Sequence, residues 1–239
     1  MFFKMSYQPM LEDFTPDGAL SLFAILKIFE NNANKQADFV NDSVFTSEER
    51  KRFWVIMDWH IEIGEYPHYG DEIESSTWMH PLSSPITCTR DFLLYRNGVE
   101  CAKGISRWIL ADMNTGRPTK LGKDVTDAYQ PEAKHIFTRS KPPKIEIPEQ
   151  FISETSIRIR RADFDFNNHI HNLTYFDYAL EAIPKELYNA RSFTKLWMSY
   201  KDAITDGDTV MAKYREQNGQ HLVCIFGDDG QFKSSVLLE

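Results

Sequence analysis

Leu22, Ile25, Leu26 and Phe29 recur at helical spacing, which predicts a long amphipathic helix between Gly18 and about Val40. A short strand around Tyr7 to Glu12 precedes it, joined through "DFTPDG". After the helix, Thr46 to Glu49 reads as a capping box. The pattern then changes. "RFWVIMDWHIEIGEYP" and "DEIESSTWMH" are rich in β-branched and aromatic residues with partial alternation, so both read as strands. "TRDFLLYRNGVECAKGISRWILADM" reads as an antiparallel pair that turns at Asn97-Gly98.

Residues 114–152 read as a connector, because Pro118, Pro131, Pro142, Pro143 and Pro148 interrupt any regular pattern. "DVTDAY" within it reads as a short helix. The first pattern then starts again: a strand (Thr155–Arg161), a helix (about Asn172–Leu180), and strands near Phe193–Lys201, Asp208–Gln217, Gln220–Phe226 and Gln231–Leu238.

The two passes match residue by residue. Gly70-Asp71-Glu72-Ile73 returns as Gly207-Asp208-Thr209-Val210, and "NGVECAKGISRWIL" has a shorter counterpart in "DGQFKSSVLL". Matches in the same order around two helix-then-strands modules argue for a duplicated domain. The predicted class is α+β, a long helix laid on an antiparallel sheet, twice. The repeat suggests a double hotdog with the two sheets joined edge to edge. The expected organisation is an N-terminal module (1–113), the connector (114–152) and a C-terminal module (153–239).

Composition narrows the class further. The chain has 239 residues with a formal charge of −8, which argues against a nucleic-acid binder. From Ser153 to Lys201, however, seven Lys or Arg face six acids, so that region is near neutral. No apolar run is long enough to span a membrane, since "LFAILKIF" is broken by Lys27, and "MFFKMSYQPM" does not read as a secretory signal. Three scattered cysteines, Cys88, Cys101 and Cys224, lack metal or redox spacing and suit a reducing cytoplasm.

The densest chemistry lies in "RRADFDFNNHIHNLTYFDYALEAIP". Between Asp163 and His171 it holds two Asp, two Asn and two His. In an extended segment Asp163, Asp165 and Asn167 would share one face. Asn172 would cap a helix with the stripe Leu173, Phe176, Leu180 and Ile183, stopped by Pro184. His169 and the amides around the first turn would then lie at the positive end of the helix dipole, where free N–H groups suit a developing oxyanion. A carboxylate, an amide and an imidazole there make a kit for hydrolysing an acyl bond. Each residue also has an ordinary reading, Asn172 as a plain cap and Asp163 as a turn residue bonded to its own backbone. In the first module Thr15 stands at the place of Asp165 and Ala19 at that of His169, so one active site per chain is expected. There is no G-x-S-x-G elbow, P-loop or G-x-G-x-x-G, and His60, His68 and His80 are too dispersed for a metal site.

Taken together, these motifs resemble the acyl-acyl carrier protein thioesterase family of plants and bacteria, more closely its bacterial branch. The second module is similar to that family's R-x-x-D-x-D-x-N-x-H-(V/L)-N-N-x-x-Y followed by L-E-x-x-P, through Arg160 or Arg161, Asp163, Asp165, Asn167, His169, Asn172, Tyr175, Leu180, Glu181 and Pro184. The first module adds "YPHYGDEIESSTW" and the Arg-Asp-Phe of "TRDFLLY". The resemblance implies a double hotdog that hydrolyses the thioester of fatty acyl-acyl carrier protein, releasing free fatty acid and ending chain elongation. It implies Asp165, Asn167 and His169 as the catalytic set, with no cofactor and no metal. The partner it implies is acyl carrier protein bearing a fatty acyl-phosphopantetheine. That carrier is acidic, so Arg158, Arg160, Arg161, Lys185, Arg191 and Lys195 are its candidate docking cations.

Two positions depart from the family pattern. Ala203 stands where the family has a Glu, with Asp202 beside it, and His171 stands where it has Asn. The chemistry expected is water-mediated. Asp165, alone or through His169, deprotonates a water, while Asn167 positions the carboxylate or the pantetheine arm. A covalent route through Asp165 stays open. The acyl chain is expected in the first module, whose "LSLFAILKIF" is suitably apolar. Alternatives of the same fold are an acyl-CoA thioesterase, a dehydratase, and a lapsed thioesterase that only binds acyl chains. A homodimer is compatible with the sequence.

Overall fold

The computed structural model describes residues 1–138, 145–190 and 193–239. It divides into two compact units, Met1–Ser140 and Lys141–Glu239. The first unit runs β1 (Phe3–Tyr7), α1 (Leu22–Phe39), α2 (Ser47–Arg50), β2 (Arg52–Ile63), β3 (Ile73–Met79), β4 (Thr87–Arg96), β5 (Val99–Asp112) and α3 (Lys123–Tyr129). The second runs β6 (Ser153–Arg158), α4 (Thr174–Ala182), α5 (Lys185–Ala190), β7 (Lys195–Tyr200), β8 (Thr209–Gln217), β9 (Gln220–Gly227) and β10 (Phe232–Leu238).

Within the first unit the strands lie in the order β1-β3-β4-β5-β2, and within the second in the order β6-β8-β9-β10-β7. All these pairings are antiparallel. The two orders are one topology used twice, a hotdog module in each case, and the class is α+β.

Sequence-level causes are visible in each element. Ser21 caps α1 by accepting the Ala24 N–H at 3.0 Å, and Ala24, Ile25, Leu26 and Phe29 below it are fully buried. Phe29 lies so close to β5 that a Cβ on Gly104 would come within 2.8 Å of its ring, so only glycine lets helix and strand approach there. Asn97 and Gly98 both have positive φ, 50° and 79°, as the two-residue turn between β4 and β5 requires. The 114–138 stretch is not merely a tether: Val125 and Tyr129 of α3 are buried with Met79, Cys88 and Leu110 in the core of the first unit.

Several expectations change. The first strand ends at Tyr7, because Met10 to Asp13 turn back on themselves with the Met10 N–H bonded to Asp13 Oδ2 at 2.8 Å. The predicted 155–161 strand ends at Arg158 for the same reason, since the Arg160 N–H reaches Asp163 Oδ2 at 2.8 Å. The capping box at Thr46 does not form, because the Thr46 hydroxyl donates to the Ser43 carbonyl at 2.9 Å instead. Among the described residues no helix is long and apolar enough to cross a membrane.

Candidate active site

One turn is built twice. In the first unit, Thr15 N–H donates to Ala19 O at 2.8 Å, Gly18 N–H to Thr15 O at 2.8 Å, and Ser21 N–H to Asp13 O at 2.9 Å. In the second, Asp165 N–H donates to His169 O at 2.8 Å, Asn168 N–H to Asp165 O at 3.1 Å, and His171 N–H to Asp163 O at 2.8 Å. The bridges Phe14–Leu20 and Phe164–Ile170 close the two turns alike, and Gly18 and Asn168 both take positive φ, 82° and 57°. Asn tolerates that region better than most side chains do. The backbone is therefore common, while the side chains are not. Thr15 and Ala19 in one copy are Asp165 and His169 in the other.

The extended shared face expected for Asp163, Asp165 and Asn167 does not exist. Asp163 sits in a 3-10 turn and is 1% exposed. Its carboxylate accepts the Arg160 N–H, the Arg160 guanidinium at 2.8 Å and the Tyr178 hydroxyl at 2.7 Å. Burial alone would raise that carboxyl, but those donors outweigh it and hold it below the ordinary carboxylate range. Asp163 is thus structural, matched by Asp13 in the other unit.

Asp165 is different. It is half-buried, and its Oδ1 accepts the N–H groups of Asn167 at 2.8 Å and His169 at 3.2 Å. These bonds fix the carboxylate plane and leave Oδ2 without a protein partner among the described residues. Asn167 lies exposed at the tip of the turn and His169 half-buried at its far side. The three predicted residues therefore sit on one five-residue turn, organised around a single carboxylate oxygen.

The amides expected for the oxyanion are mostly taken. Those of Asn167, Asn168, His169, Ile170, His171 and Thr174 all have acceptors. Asn172 does not cap the helix; Leu173 stands at that position, in helical conformation and without a side-chain bond. The Leu173 N–H has no acceptor among the described residues.

The segment after β7 borders the site. Ile170 N–H donates to Ile204 O at 2.9 Å, and Ile204 N–H donates to the buried Tyr175 hydroxyl at 3.0 Å. Burial pushes the Tyr175 phenol up to about 12, so it stays protonated; Lys233, Asp202 and Asp165 all lie within electrostatic reach of it. Ala203 is exposed. Asp202 lies beyond the strand end and pairs with buried Lys233 at 3.0 Å, which also holds Asp229 at 3.2 Å. The Asp202 carboxylate is therefore held by Lys233. Tyr175 was named from sequence only as a motif residue; its bond to Ile204 comes from the fold.

Cysteine chemistry finds no support. Cys224 on β9 is fully buried and its thiol is pushed up to about 12 by burial, as is that of Cys88. Among the described residues no group of three His, Cys, Asp or Glu could hold a metal ion.

Of the candidate docking cations, Arg158 and Arg160 line a groove of about 580 Å³ beside β6, α4 and α5, which also carries Asp177, Glu181 and Tyr188. Arg160 is paired with Asp163, and Lys195 with Glu239 at 2.9 Å. Arg158, Arg161 and Lys185 are exposed and make no ion pair among the described residues. Arg191 lies outside the described residues. Burial pushes the Asp177 carboxyl up to about 6, with Arg160 opposing the rise.

Comparison with known proteins follows the same division. The model of the acyl-ACP thioesterase N-terminal domain matches residues 1–129, and that of the C-terminal domain matches residues 146–234. A chloroplastic oleoyl-acyl carrier protein thioesterase of Arabidopsis thaliana is 30% identical over 194 residues, covering 75% of this chain and 53% of its own length. A similar enzyme of Coriandrum sativum is 26% identical, covering 87% of this chain and 64% of its own length. The chain thus spans between about half and two thirds of these relatives. Two solved structures share the fold. The acyl-ACP thioesterase of Bacteroides thetaiotaomicron has TM-score 0.87 at 19% identity, covering 99% of this chain and 96% of the other. The 12:0-ACP thioesterase of Umbellularia californica has TM-score 0.85 at 18% identity, covering 100% and 96%. With both domain models matched in order along a twice-used topology, the chain belongs to the acyl-ACP thioesterase family.

Proposed function

We propose that this protein hydrolyses the thioester of fatty acyl-acyl carrier protein. The observation that carries the reading is the pair of matched turns: one backbone hydrogen-bond pattern used twice, with Asp165 and His169 in one copy where the other has Thr15 and Ala19. Asp165 Oδ1 is held by two backbone N–H groups, and Oδ2 orients a water, with His169 beside it as the alternative acceptor of the proton. The water oxygen bonds to the thioester carbon, the carbon–sulfur bond breaks, and the thiolate leaves as the pantetheine thiol after taking back the proton. The Leu173 N–H supports the developing oxyanion at the start of α4. The acyl chain is assigned to the first module and the catalytic residues to the second. Arg158, Arg161 and Lys185 are the unpaired cations offered to the acidic carrier. Three buried free thiols suit a reducing cytoplasm.

The test is free-thiol release from a series of acyl-acyl carrier proteins, with wild type and Asp165→Asn in parallel. Asn keeps the Oδ1 acceptor and so preserves the turn, while removing the base. Turnover that collapses in the variant supports the reading. Ala203 favours one rival, a lapsed enzyme that binds acyl chains. No thiol release at any chain length, with acyl chains still bound, would establish that rival instead.

A further inference from the structure

A buried cation stands in the apolar interior of the first unit. Arg90 of β4 is 5% exposed. Its guanidinium donates to Gln36 Oε1 on α1 and lies 5.3 Å from the centre of the Tyr129 ring on α3. It makes no ion pair among the described residues. The acid of this neighbourhood, Asp42, is already shared by Arg50 at 3.2 Å, Arg52 at 3.6 Å, the Trp54 indole N–H at 2.9 Å and the Tyr129 hydroxyl at 3.2 Å. A guanidinium has five N–H donors and does not shed its proton in proteins. Burying it with one hydrogen-bond acceptor is costly unless the other donors are met.

Those donors border a small cavity. About 40 Å³ is open between α1 and the sheet, walled by Ala33, Ala37, Trp54, Met79, Trp108 and Tyr129 beside Arg90. The volume is about that of one water, roughly 30 Å³ in the liquid. From α1 the cavity is lined by the small side chains of Ala33 and Ala37 and by exposed Asn34. The N-terminal half of the helix is closed by contrast: Leu22, Ile25, Leu26 and Phe29 are packed core. The apolar stretch expected to line an acyl tunnel therefore makes the core, and the open space lies one or two turns further along the helix.

We propose that Arg90 is the stop that ends the acyl-chain site of the first module. It sets the longest methyl-ended chain accepted, and it admits a longer chain whose far end carries a hydroxyl. This rests on the thioesterase reading above. A methyl group driven into the cavity displaces the solvent that meets the guanidinium and returns no acceptor, so the chain end is rejected. A terminal hydroxyl supplies the acceptor and is tolerated. Charge and hydrogen bonding end the site here, rather than bulk alone.

The experiment measures kcat/KM for thiol release from two matched series of acyl-acyl carrier proteins, octanoyl to octadecanoyl, one methyl-ended and one ω-hydroxylated. Wild type, Arg90→Met and Arg90→Lys are compared, with thermal melting of each. In wild type, the hydroxylated chain should be preferred about tenfold or more at the first methyl-ended length that is rejected. Arg90→Met should move the methyl-ended limit to longer chains and abolish the hydroxyl preference, while Arg90→Lys should keep the wild-type limit. An unchanged limit in Arg90→Met protein that melts like wild type would overturn the proposal. If Arg90→Met does not fold, equal treatment of the two series by wild type overturns it just as well. Failure of the thioesterase reading looks different, since no chain of either series would then release thiol, and the proposal would fall with it.

Discussion

The hydroxyl of Tyr175 accepts the backbone N–H of Ile204 at 3.0 Å, and this bond fastens the first turn of α4 to the segment that carries Ala203. Both residues are buried, so Tyr175→Phe leaves an amide without an acceptor. The variant should lose about 1–2 kcal/mol in denaturant unfolding. Thiol release should fall through kcat more than through KM, because the change loosens the border of the site rather than the carrier surface.

Ala203 lies exposed next to that bond, so a longer side chain there meets no packed core. Ala203→Glu should raise kcat for thiol release by about tenfold, a modest share of what a positioned acid or base contributes. An equal or lower rate would mean that Asp165 and His169 no longer have use for a second carboxylate.

Asp163 and Asp165 should separate cleanly under the same substitution. Asp163→Asn loses the charge that meets Arg160 in a buried turn and should cost about 2 kcal/mol, a figure reduced because the Arg160 side chain is exposed. The Asp163 carboxyl is held below its ordinary value when folded. Its contribution is therefore present above that ordinary value and is lost as pH falls through the folded one, so the variant should flatten the acid limb of a melting-against-pH profile. Asp165→Asn should melt like wild type and lose about a hundredfold or more in thiol release.

Asp177 carries the opposite sign. Its folded carboxyl titrates near 6, above the unfolded value of 3.8, so the folded state binds the extra proton between those values. Stability from this group is fully present below the unfolded value and is lost as pH rises through about 6. Asp177→Asn should therefore stabilise the protein on the order of 1–2 kcal/mol at neutral pH, after allowance for partial exposure, and by nothing at low pH. Melting temperature across that range decides it.

By itself, the sequence determined the class and the duplication, and it pointed to the turn on which the chemistry is proposed. Each of these rests on short-range rules: helical and alternating periodicity, turn residues such as Asn97-Gly98, and a recurring order of motifs. The correspondence of Thr15 with Asp165 and of Ala19 with His169 was readable because the two copies preserve register around the turn.

What only the tertiary structure decided was which polar groups are free. Asp163 and Asp165 are two residues apart and chemically identical, yet one is spent on Arg160 and Tyr178 while the other keeps an oxygen open. Asn172 looked like a cap but gave way to Leu173, because the preceding turn consumes the local amides. The apolar run in α1 became core, and the cavity opened at Ala33 and Ala37, where side-chain volume from α1, four strands and α3 fails to meet. Arg90 likewise reads from sequence only as part of the Arg-Asp-Phe motif, and its burial against Gln36 and Tyr129 belongs to the fold. Satisfaction of donors and filling of volume are set by neighbours distant in sequence, and no local pattern encodes them.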